Sequence, residues 1–178
     1  MDAYRHTFPA RNACYAAILI LGVLAQTSWA HLWKVWGTYP DLFLVLSVCA
    51  GMTLGTRRAT MLGLLFGYLE GIMQGDSLGS FMVSRGFVAL LAAMAETRLY
   101  RENLWVSVIG VLLGTIVGEA VFLIMTPHYP FPYWAITMLK EAVYNSVFTL
   151  PFFVPLSHLT RRSIHFAVLS NPGIWQRE

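Results

Sequence analysis

Charge is scarce in this chain. Only 12% of its 178 residues are Asp, Glu, Lys or Arg, while 57% are hydrophobic and the mean hydropathy is +0.59; a soluble domain carries about twice that share of charge. No basic run interleaved with aromatics occurs, which argues against a nucleic-acid partner, and the formal charge of +3 comes from few groups. Cysteine is equally sparse: Cys14 and Cys49 both lie in apolar runs with no histidine cluster nearby, giving neither a disulfide framework nor a zinc site. They read as packing residues. His6, His31, His128, His158 and His165 have no metal-ligand spacing with one another, so no metal and no cofactor is expected. Long polar connections are missing too. The expectation is a single all-α membrane domain over residues 1–178 whose function lies within the bilayer or on its faces.

Six apolar spans are predicted, over residues 12–32, 41–55, 60–74, 78–97, 103–125 and 133–157, with tails at 1–11 and 160–178. The second and third fall short of the ~20 residues that a bilayer core requires. They must extend, thin the bilayer or be shielded by neighbours. Arg5 and Arg11 before the first run, and the small-x-small site Ser28-Trp29-Ala30 near its end, resemble a signal peptide. The belt of Trp29, Trp33, Trp36 and Tyr39 favours a retained helix. With the N-terminus inside, Arg5, Arg11, Arg57, Arg58, Arg98, Arg101, Arg161, Arg162 and Arg177 are cytoplasmic, nine of the twelve basic residues, and only Lys34 lies in an outer loop. That bias predicts both termini in the cytoplasm.

Glycines recur at every fourth position through the third span: Gly63, Gly67, Gly71, Gly75 and Gly79. In a bilayer such a ladder lets a second helix approach backbone to backbone; it reads as a helix-packing seam or as a partner surface. Ala at Gly63, nearer the cytoplasmic end, is expected to be milder than bulk at Gly67 or Gly71. Within the ladder, Gly75-Asp76-Ser77-Leu78-Gly79 matches the serine nucleophile elbow G-x-S-x-G. The elbow needs a strand-turn-helix in an α/β sheet, and the flanks here are helix-like. A turn without catalysis is predicted, and the protein is not expected to be an enzyme.

Charges inside the spans each ask for a partner or a role. Glu70 and Arg85 lie nearly equidistant in sequence from the turn at 76–78, so an antiparallel hairpin places them at one depth. Glu119, Lys140 and Glu141 fall ~9 to 12 Å below the outer ends of their spans at 1.5 Å per residue. Together with Asn145, one turn past Glu141, these residues predict a polar layer in the outer half. It is either internal glue or the wall of a cavity.

The order and spacing of several short motifs resemble the rod shape-determining protein MreD family over about residues 40–162. They are Pro40-Asp41-Leu42 opening the second span, the Gly67, Gly75 and Leu78-Gly79 pattern, the Leu99-Tyr100-Arg101-Glu102-Asn103 loop, Glu119 in the fifth span, and Tyr144-Asn145 before Pro151. The family often has an aspartate four residues after the first of these glycines. This chain has Gly71 there, with Glu70 before it, a rotation of about 100° on a helix. The resemblance implies a non-enzymatic subunit of the bacterial inner membrane, acting in cell elongation with MreC, the actin-like MreB, and the glycosyltransferase and penicillin-binding transpeptidase of lateral peptidoglycan synthesis. It also implies a fold similar to the substrate-binding subunits of energy-coupling-factor transporters. A vitamin-like substrate-capturing subunit is therefore the alternative, which would use the polar layer as its pocket.

Overall fold

The computed structural model describes residues 16–28, 32, 34, 37–75, 77–96, 104–127 and 131–170, with side chains through 158 apart from residue 96. Cys14, the aromatics at 29, 33 and 36, Asp76, the 99–103 loop and the tails 1–11 and 171–178 lie outside the described residues. Six α-helices are found among the described residues: α1 Ala16–Ser28, α2 Leu42–Leu54, α3 Thr56–Gln74, α4 Leu78–Glu96, α5 Leu104–Met125 and α6 Phe131–Ser170. Two of them, at Leu78–Ala95 and Leu104–Met125, are long and apolar enough to cross a membrane. The third predicted span gains a turn at its start, because Arg57 and Arg58 continue the helix of α3. The sixth runs on as one helix through Pro151 and Pro155 to Ser170, so much of the expected tail from 160 is helical.

α2 is the centre of the bundle. Every residue from Leu42 to Thr53 is buried, and the helix touches α3, α4, α5 and α6. Leu19 of α1 packs with its Phe43 and Leu46 and with Phe66 of α3. A helix apolar on all sides is stable only when surrounded. Its 13 residues span about 20 Å, and its neighbours cover it. Cys49 sits in the main core cluster with Leu44, Val48, Val88 and Val111.

Two glycine ladders fix how closely the neighbours approach. On α3 a Cβ at Gly63 would lie 2.6 Å from the Arg85 carbonyl oxygen, and one at Gly71 2.8 Å from the Leu78 Cα. At Gly67 it would run into the Phe81 carbonyl and the Met82 Cα. All three obstacles are backbone and cannot rotate away. Gly63, nearer the cytoplasmic end by prediction, is thus packed as closely against α4 as Gly71 is. The ladder also ends earlier than its spacing suggests. Gly75 caps α3 in the left-handed conformation, donating its N–H to the Gly71 carbonyl, and a Cβ at Gly79 would meet nothing. A second ladder, unnoticed in the sequence, lies on α5: Gly110, Gly114 and Gly118 receive Met52, Val48 and Leu44 of α2.

The exterior reverses the usual distribution. Met61, Ile72, Phe87, Ile109 and Trp105 are exposed, and Ile124 is 80% exposed, while Arg85 is 2% exposed.

Candidate functional site: a buried arginine with three acids

α2 begins inside the bundle, so its first N–H groups need protein partners. Asp41 caps it, its Oδ1 accepting from Leu44 N at 2.9 Å. Gln26 of α1 accepts from Leu42 N through Oε1 at 3.0 Å. Asn145 of α6 accepts from Asp41 N through Oδ1 at 2.8 Å and donates from Nδ2 to Thr115 Oγ1 of α5 at 3.3 Å. Four helices thereby meet at one end of α2.

The other Asp41 oxygen faces Arg85. The Arg85 Nη2 to Asp41 Oδ2 distance is 2.5 Å, yet Oδ2 has no hydrogen bond of good geometry; the contact is a charge contact. Glu70 takes the guanidinium edge-on, with Nε to Oε2 and Nη2 to Oε1 both 2.8 Å. This planar two-point match is the strongest form of the pair. Nη1 lies 3.3 Å from Glu119 Oε1 and 3.1 Å from Ser84 Oγ. The Phe81 ring centroid lies 5.7 Å from Arg85 Cζ, within cation–π range. One guanidinium of α4 thus binds α2, α3 and α5. Ser84 Oγ donates to the Gly118 carbonyl at 2.7 Å, and the Ser80 and Thr126 hydroxyls are 2.6 Å apart, tying α4 to α5 again.

Comparison with family models, with curated proteins and with solved structures gives no match.

Glu70, Arg85 and Glu119 come together, with Asn145 bonded to the backbone of Asp41. Glu141, half-buried, brings a carboxylate oxygen within 4.8 Å of oxygens of Asp41 and Glu119. Those three acids have a spacing a metal ion could use, but Arg85 already places a cation against two of them. Lys140 does not join: it is exposed. Five residues separate it from Asn145, about 140° round the helix, whereas Glu141 is one turn from Asn145 on the same face. Asp41 is the member that sequence reasoning missed, since an acid opening an apolar run reads as a loop boundary. Gln26 was missed for the same reason, near the end of α1.

Ser77 precedes α4 with φ 48° and its carbonyl accepts from the Ser80 and Phe81 N–H groups. It sits between helices, in a setting unlike the sheet turn that activates an elbow serine.

Proposed function

We propose that the protein is a non-enzymatic scaffold of the bacterial inner membrane, with six spans and both termini cytoplasmic, serving lateral peptidoglycan synthesis and cell shape. Its partners in this reading are MreC most directly, then MreB and the wall glycosyltransferase and penicillin-binding transpeptidase. The membrane part is supported by the inverted exterior: a surface carrying Trp105, Ile109, Leu113 and Ile124 exposed around a buried arginine suits lipid as solvent. The observation that carries the scaffold is the engagement of Arg85. Its Nε, Nη1 and Nη2 all meet acids of the bundle itself, so the polar layer is spent on holding helices together. A substrate-capturing subunit would aim those groups at a ligand. The family assignment rests on the motifs from Pro40 to Arg162.

Purification from native membranes in mild detergent, with mass spectrometry of what accompanies the chain, tests the reading. Wall-synthesis proteins are expected. Recovery of an ATPase module in their place would overturn the scaffold and favour the transporter subunit.

A further inference from the structure

α6 has two unlike faces. Ala142, Asn145, Ser146, Thr149 and Phe153 are buried against the bundle. On the other side Ile136, Lys140, Val143, Val147, Leu150 and Val154 are all exposed. Their spacing of four, three, four, three and four is the seam of a two-helix coil. Four of the six are Val or Ile, whose single preferred rotamer leaves little freedom to lose on packing. On α3 and α4, Ile72 and Val83 are the β-branched members of the exposed large hydrophobics, the rest being Leu, Met, Phe and Tyr. Lys140 lies in line with the seam, nine residues into α6, or about 13 Å from its start. Among the described residues of α3 to α6 it is the one exposed charge away from a helix end.

A cation at that depth calls for an anion. A second copy cannot supply it, because copies share one orientation in a membrane and a two-fold contact through this seam sets Lys140 against Lys140. We propose that the α6 seam docks one spanning helix of a different protein, bearing an Asp or Glu level with Lys140. The proposal rests on the membrane reading above and gives the scaffold its partner-binding surface.

The test places the photo-crosslinker p-benzoylphenylalanine at Val143 or Val147 in the full chain in native membranes, with Leu113 of α5, also exposed, as control. Adducts are expected from both α6 positions, and not from Leu113, with a protein whose spanning segment holds a carboxylate in its outer half. Lys140→Glu should cut the adduct at least tenfold, and exchanging the partner's acid for Lys should restore it. Because Lys140 is exposed, Lys140→Glu should melt like the parent; should it not, Lys140→Gln replaces it in the same measurement. Adducts with lipid alone would mean that Lys140 snorkels to headgroups and would overturn the proposal. So would adducts with a second copy, or a yield indifferent to the charge at 140. The two readings fail separately: an acidic partner from outside wall synthesis leaves the seam standing and removes the scaffold function, whereas co-purifying wall proteins with silent α6 positions remove the seam alone.

Discussion

Arg85 holds three carboxylates, so removing it and removing one of its acids have different consequences. Arg85→Ala leaves Asp41, Glu70 and Glu119 buried together without a cation, and stability in detergent should fall by about 3 to 5 kcal/mol or more. A melting temperature within about 2 °C of the parent would remove the paired-charge account. Reading Glu70 and Arg85 as an isolated pair would have Glu70→Gln with Arg85→Gln restore most of the loss. The geometry changes that expectation, because Asp41 and Glu119 still face each other. Rescue should be partial with two changes and fuller when Asp41→Asn and Glu119→Gln are added, as thermal melts of the series would register. Asn145→Ala, which strips a buried acceptor from Asp41 N, should cost about 1 to 3 kcal/mol. The Glu70 and Arg85 contact was legible because a hairpin's symmetry about its turn is written in residue numbers. Asp41 was not, since nothing local says that α2 starts within the bundle. Lys140 could have been placed correctly by counting turns from Asn145.

Among the helices, the two glycine ladders should respond differently to the same substitution. Gly67→Ala drives a methyl into backbone of α4 and should cost about 1 to 3 kcal/mol or more. Gly114→Ala meets the end of the Val48 side chain at 2.8 Å and Val88 at 3.3 Å, atoms that can move, and should cost less. Gly79→Ala meets nothing and gains helix propensity of up to ~1 kcal/mol. Denaturation of the three proteins in one detergent should rank them in that order, with Gly79→Ala at or above the parent; equal losses at Gly67 and Gly79 would refute the assignment of the α3 to α4 contact. The interval of four announced a packing seam, but not where it stops. That depends on Gly75 being used for a turn, and its positive φ is invisible in a spacing rule. The α5 ladder has the same interval and went unread because three glycines in an apolar run stand out less than five.

At the scale of the whole molecule, the basic bias and the inverted exterior make one claim that reporters can check. Fusions after Arg58, Arg101 and Arg162 should report cytoplasm, and those after Gly37 and His128 the outside. An outside signal at Arg101 would break the six-span arrangement. The all-helical class was legible from composition and periodicity. The central place of α2 was not, because its uniform hydrophobicity is equally that of a lipid-facing helix, and only its length hinted that others must cover it. That placement bears on how the chain is made. The helix at the middle of the finished bundle leaves the ribosome before α3 to α6, four of the helices it touches, exist. Until α4 delivers Arg85, Asp41 lacks the guanidinium it meets in the finished bundle, so α2 waits with only α1 beside it, and the interior of this protein is assembled around a helix that arrived early.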